Sequence, residues 1–170
     1  MLDLIIKNGT CYINKDLKEQ DISIKDGKII KIGKIEDETK KIYDAKGLTI
    51  LPGCIDTQTH FREPGTTDTE DLHSGSRAAI AGGITSVFEM PNTNPPTSTK
   101  EEFQKKLDLA KNRMYCNYAF YFGATADNGT ELSELETLEG PCGIKLFSGS
   151  STGNLLVAEE EDIDLSLIHI

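Results

Sequence analysis

Leu51-Pro-Gly-Cys-Ile-Asp-Thr-Gln-Thr-His-Phe-Arg-Glu-Pro-Gly65 is the stretch on which the reading of the whole chain turns. It opens and closes on Pro-Gly turns. Between them Cys54, Ile55, Thr57, Thr59 and Phe61 make an apolar, alternating segment, the mark of a short buried strand with a functional end. Period-two geometry sets Asp56, Gln58 and His60 on one face. A polar row on an otherwise apolar strand is costly unless a metal, a substrate or paired side chains lie opposite. This strand is therefore a candidate active-site wall.

Upstream, residues 1–50 read as a run of short strands. Leu2, Leu4 and Ile6 alternate, as do Ile22 with Ile24 and Ile30 with Ile32, and Asp26-Gly27 between the last two pairs is a strong hairpin signal. A small β-domain without functional residues is expected there. Downstream the pattern changes to strand, loop, helix, strand, which signals βαβ units and a parallel sheet. Asp68 or Thr69 is placed to cap a helix running to about Ala81, with Leu72, Ala79 and Ile80 inward and Gly82-Gly83 as its stop. A second strand follows over 84–90. Thr99-Lys-Glu-Glu102 is a capping box opening a helix whose Phe103, Leu107, Ala110 and Met114 share a face. A third strand over 115–122, a short acidic helix over 131–139 and a fourth strand over 143–147 complete the pattern.

The formal net charge of −10, from 18 basic and 28 acidic residues, argues against a nucleic-acid or anionic-membrane surface. No apolar run approaches the ~18 residues of a membrane span. Cys11, Cys54, Cys116 and Cys142 include no C-x-x-C pair and follow no leader-like apolar segment, so reduced and mostly buried thiols are expected. These features suit a soluble cytoplasmic enzyme.

The two turns with Asp56, His60, Arg62, Pro64 and Gly65 resemble the first barrel strand of the cyclic amidohydrolases, and most closely of the dihydroorotases, which carries Pro-Gly-x-Ile-Asp-x-His-x-His-x-Arg-x-Pro-Gly. The resemblance implies an α/β fold: the N-terminal half of a (β/α)8 TIM-like metal-dependent hydrolase barrel, preceded by part of a small β-sandwich. Such a barrel takes roughly 250 residues, so 170 residues are expected to be the N-terminal part of a longer protein. Residues 1–50 would then supply sandwich strands and 51–164 the first half of the barrel. The hexapeptide Leu165-Ser-Leu-Ile-His-Ile170 resembles the translation of a mosaic-end sequence used in sequencing libraries. It is expected to be non-native, which removes His169 from the site candidates.

Alone, a strand histidine is more often a satisfied core or surface residue than a ligand. By the resemblance His60 is a zinc ligand at the C-terminal end of the first barrel strand, where barrel active sites lie. Gln58 stands where the family has the first histidine of its His-x-His pair. An amide oxygen is a weak zinc ligand, so a single-metal site, or one of altered affinity, is expected in place of a two-metal centre. Lys145, alone in apolar Gly143-Ile-Lys-Leu-Phe147, reads from spacing as a lysine that snorkels to solvent. By the resemblance it is the lysine whose neutral amine takes up carbon dioxide and whose carbamate holds metal.

Arg62 follows His60 by two residues and, on the strand face, would hold a carboxylate bidentately. Asn92, in Met90-Pro-Asn-Thr-Asn-Pro-Pro96, is by itself as well read as a turn residue. The resemblance pairs Arg62 and Asn92 as the carboxylate grip of a dihydroorotase. The loop Phe147-Ser-Gly-Ser-Ser-Thr-Gly153 lacks the phosphate-cradle pattern, His73 falls within a helix, and Glu63, Asp68 and Asp71 read as capping and loop charges. The function implied is dihydroorotase, the reversible hydrolysis of L-dihydroorotate to N-carbamoyl-L-aspartate in pyrimidine synthesis. The family's general acid/base aspartate falls outside these residues, and the 170-residue piece alone is expected to be inactive. Alternatives are an allantoinase- or hydantoinase-like cyclic amidase and a non-catalytic homologue. The implied partners are a small-molecule substrate and either a second copy or another enzyme of the pyrimidine pathway.

Overall fold

The computed structural model of the protein describes residues 1–149 and 153–168, with Glu136 described by its backbone only. The chain divides into two compact units, one of Met1–Pro52 and one beginning at Gly53.

The first unit is a single sheet of β1 (Leu4–Ile13), β2 (Asp16–Lys25), β3 (Lys28–Gly33), β4 (Ile42–Asp44) and β5 (Thr49–Ile50). The order is β3-β2-β1-β4, with β5 also on β1. The first three strands are antiparallel, and β4 and β5 run parallel to β1. The hairpin read at Asp26-Gly27 is present. Both residues have positive φ (50° and 73°), the geometry that matches the twist of the flanking strands. A second two-residue turn at Asn14-Lys15, also at positive φ, joins β1 to β2 and carries no glycine to betray it. Ile5, Cys11, Ile22, Ile35 and Ala45 are buried, whereas Ile29, Ile30, Ile32, Ile42 and Tyr43 are exposed.

The second unit alternates strand and helix: β6 (Cys54–Thr59), α1 (Leu72–Ala81), β7 (Ile84–Glu89), α2 (Lys100–Ala110), β8 (Asn117–Gly123), a 3-10 turn (Gly129–Glu131) leading into α3 (Leu132–Glu136), β9 (Pro141–Lys145) and α4 (Glu160–Leu167). The four strands are parallel in the order β6-β7-β8-β9, the arrangement of the first four βα units of a (β/α)8 barrel. Alternation along β8 buries Phe120 and Phe122 under α2, where Phe103 stacks on Phe122 with ring centres 4.4 Å apart. Leu72, Val87, Ala110, Leu132 and Leu135 extend the same core.

Several local expectations are corrected. Helix α1 starts after Asp71, not Asp68 or Thr69, because Thr66–Thr69 closes a turn (Thr69 N–H to Thr66 O, 3.0 Å) and the Asp71 carboxylate accepts from Ser74 N–H at 2.6 Å. Leu72, Gly75 and Ser76 are buried and Ala79 packs on the core, so Ile80, one step round the helix, is exposed. Thr99 does cap α2 by accepting from Glu102 N–H. The Glu102 carboxylate pairs with Lys105 instead of returning to Thr99. The thiols are free, but only Cys11 and Cys116 are buried, while Cys142 is half-buried and Cys54 exposed. Residues 165–167 continue α4. Residues 150–152 of the 147–153 loop, and His169 with Ile170, lie outside the described residues. No helix among the described residues is long and apolar enough to cross a membrane.

Candidate active site

Parallel strands deliver the residues after their C-terminal ends to one rim, and His60, Asn92 and Lys145 stand at the ends of β6, β7 and β9 in that way. The His60 imidazole is partly buried and its Nδ1 lies 2.9 Å from Asn92 Oδ1. A carboxamide oxygen only accepts, so Nδ1 carries the proton and Nε2 presents its lone pair. Burial lowers the His60 pKa from its ordinary value. The Asn92 contact opposes this, and the cations of Arg62, Lys106 and Lys145 add to the lowering.

Arg62 and Gln58 are placed otherwise than strand alternation suggests. β6 ends at Thr59, and its register with β7 shifts between Asp56 and Thr59, which breaks the period-two row through Gln58. Gln58 is exposed, with its backbone N–H held by the Asp56 carboxylate at 2.9 Å. Arg62 lies beyond the strand in a left-handed conformation (φ 60°), and its side chain is exposed. Lys145 is half-buried, with Nζ 5.0 Å from the centre of the Phe147 ring.

The loop after β6 is fixed at several points. Glu63, 7% exposed, accepts from Arg113 through both oxygens (2.8 and 3.2 Å) and from Leu72 N–H (2.9 Å), where a carboxylate also complements the start of α1. Gly65 takes φ 119° and leaves no room for a side chain, because a Cβ would come within 2.9 Å of Asn94 O. Asn94 N–H in turn donates to Pro64 O at 3.0 Å, which ties this loop to the one that carries Asn92. Beneath both loops lies a sealed ion pair of Glu89 and Lys106, 1% and 0% exposed. Sequence reading missed this pair. The signal was a glutamate on the buried period of β7, after Val87, and a lysine on the buried period of α2, between Phe103 and Ala110.

Among the described residues no three His, Cys, Asp or Glu side chains converge as a bound metal would need. These residues alone do not make a complete zinc site, for His60 Nε2 is a single imidazole donor and a tetrahedral centre needs three protein ligands or more. Burial pushes the Cys142 thiol up to about 12.

The model of the amidohydrolase family matches residues 49–153, a span that includes all five sequence-predicted site residues. The chain belongs to the amidohydrolase family. It is 41% identical over 172 residues to a dihydroorotase of Methanosarcina mazei, covering 100% of this chain and 37% of that protein. It is also 41% identical over 146 residues to an allantoinase of Salmonella choleraesuis, covering 85% of this chain and 32% of that protein. Among solved structures, the L-hydantoinase of Arthrobacter aurescens superposes with a TM-score of 0.89 at 28% identity, over 98% of this chain and 38% of that one. The chain therefore spans about a third of the length of these amidohydrolases.

Proposed function

We propose that the complete enzyme bearing these residues hydrolyses a cyclic amide, and that its substrate is L-dihydroorotate, opened reversibly to N-carbamoyl-L-aspartate in pyrimidine biosynthesis. The observation that carries this reading is the Asn92 carboxamide bonded to His60 at the strand ends, with Arg62 two residues further along the same segment. The Arg62 side chain is exposed and its charge adds to the lowering of the His60 pKa, and Asn92 is bonded to His60. With its Oδ1 engaged by His60, Asn92 keeps the Nδ2 protons for a substrate carboxylate, and Arg62 offers a second, charge-assisted set of donors. Together they would orient the ring so that its amide bond lies near His60.

His60 is proposed as an imidazole ligand of zinc and Lys145 as a further ligand in its carbamate form, with Gln58 the weakest candidate. One zinc per chain is the expected content of the complete, purified enzyme, and two tightly held zincs would refute the single-metal reading.

The identity of 41% to an allantoinase favours a second reading, a cyclic amidase whose substrate has no carboxylate. Turnover by the complete enzyme of L-dihydroorotate, allantoin and hydantoin separates the two. Ring opening of L-dihydroorotate, weakened in Arg62→Ala through a higher KM, is expected. Turnover confined to allantoin or hydantoin would establish the second reading, and no turnover of any of them would leave a non-catalytic homologue.

A further inference from the structure

Lys106 spends its whole hydrogen-bonding capacity inside the protein. Its ammonium donates to Met90 O at 3.1 Å and to Thr97 Oγ1 at 3.3 Å, and it meets the Glu89 carboxylate. The Phe120 ring lies on another side, 5.1 Å away. The backbone amide of Phe61 lies near enough to the Glu89 carboxylate to favour its charged form, and among the described residues the Glu89 Oε2 has no partner but Lys106. One pair of charges thus lies against the main chain at Phe61, between His60 and Arg62, and holds it by a hydrogen bond at Met90, two residues before Asn92. Through Thr97, whose N–H donates to Pro91 O at 2.9 Å, it also holds the far end of the Asn92 loop.

Two apolar side chains would fill this space without desolvating two ions, so stability alone does not account for the pair. The backbone nearby supplies a reason. Arg62 holds a left-handed φ that a side-chain-bearing residue keeps only when its surroundings impose it. On one side Thr66 N–H donates to Arg62 O at 2.9 Å, and on the other the Phe61 amide lies against the Glu89 carboxylate.

We propose that Glu89 and Lys106 are positioning residues, an internal clamp that locks the His60–Arg62 segment to the Asn92 loop and so sets the distance between the groups that hold the substrate. The effect on catalysis rests on the substrate-binding roles given above to Arg62 and Asn92, whereas the clamp itself does not. Releasing it lets Arg62 relax to an ordinary φ and shifts its guanidinium relative to Asn92. Misplacement by about 1 Å costs on the order of 100-fold in rate.

The test uses the complete enzyme with Glu89→Leu/Lys106→Met, which removes both charges together and leaves neither unpaired. The expected result is a melting temperature close to that of the unaltered enzyme, and kcat/KM lower by about 10- to 100-fold on whichever cyclic amide that enzyme turns over. Faster amide hydrogen exchange is expected in the peptides covering 58–66 and 90–97. A double variant with unchanged kcat/KM and unchanged exchange overturns the proposal. Exchange that rises while L-dihydroorotate is never a substrate upholds the clamp and overturns the substrate assignment instead. Should the double variant not fold, Glu89→Gln/Lys106→Met keeps an acceptor for Phe61. Exchange must then rise over 90–97 and stay unchanged over 58–66, and any other pattern overturns the clamp.

Discussion

Two carboxylates, Glu63 and Glu89, bracket the loop that follows β6, and each is paired with a cation from α2 or the turn just beyond it, yet they are built on opposite principles. Glu63 meets Arg113 at the edge of the unit, where the guanidinium side chain remains 37% exposed, and the carboxylate has a second donor in Leu72 N–H. Glu89 meets Lys106 with both side chains sealed from solvent. At the edge, water reaches the guanidinium, and the Glu63 carboxylate keeps the Leu72 N–H when Arg113 is lost. Inside, each charge is tolerable only because the other is present. The outer pair fastens a loop to a helix start; the inner pair joins two loops that carry candidate substrate ligands.

Removing one cation from each pair puts this contrast to its hardest test. Lys106→Met is expected to lower stability by ~3–5 kcal/mol, because it leaves a buried carboxylate uncompensated. Burial above all pushes the Glu89 pKa from its ordinary 4.5 up to about 7, against the pull of Lys106. A folded-state pKa raised in this way gives stability that is complete below 4.5 and is lost as pH rises through the folded value, since the folded chain then holds more protons than the unfolded one. Without Lys106 the loss extends to higher pH. The deficit of Lys106→Met against the unaltered enzyme, read from urea midpoints, should therefore be largest at about pH 8 and shrink toward 4.5. A deficit independent of pH would mean that lost packing, not a stranded charge, is responsible.

Arg113→Met is expected to cost less, about 1–3 kcal/mol, because the Glu63 carboxylate keeps Leu72 N–H and gains access to water. The partial exposure of Arg113 also makes this pair sensitive to screening. In ~1 M salt, where the Debye length falls to about 3 Å, the difference between Arg113→Met and the unaltered enzyme should narrow. The Lys106→Met deficit should persist. Equal salt sensitivity of the two variants would erase the distinction between edge and interior.

The contrast also explains what was legible in the sequence. Local devices could be read directly: the Asp26-Gly27 turn, the Thr99 cap, the stop at Gly82-Gly83 and the strand-helix alternation from Leu51 onward. Each depends on residues a few positions apart. Asp71 as the true cap of α1 was missed because Asp68, Thr69 and Asp71 are equally able to cap, and the Thr66–Thr69 turn that decides among them is a matter of backbone geometry. Lys106 was missed because Lys105, its neighbour, has the same chemistry and lies on the solvent side of α2, paired with Glu102. Only the partner, 17 residues back on β7, distinguishes them, and pairing of that range has no local signature. The face of Arg62 failed for a similar reason. Alternation projected it along a strand, but the strand ends where the register with β7 slips.

Arg62 itself supplies the finest test, because there the requirements of substrate and fold conflict. A left-handed φ costs an ordinary residue about 1 kcal/mol, and glycine is free of that cost. Arg62→Gly is therefore expected to raise the stability of the complete enzyme by up to about 1 kcal/mol while it weakens binding of a carboxylated substrate, seen as a higher KM with kcat changed less. The exposed guanidinium takes little packing with it when removed, so the relief of the backbone is not masked. If Arg62→Gly is instead less stable than the unaltered enzyme, the guanidinium contributes to the fold, and the left-handed turn is not a conformation imposed by Glu89 and Thr66 on an unwilling residue. If stability rises and KM does not, the strain is real but serves some group other than the carboxylate grip, and the purpose of the inner clamp must be sought at His60 instead.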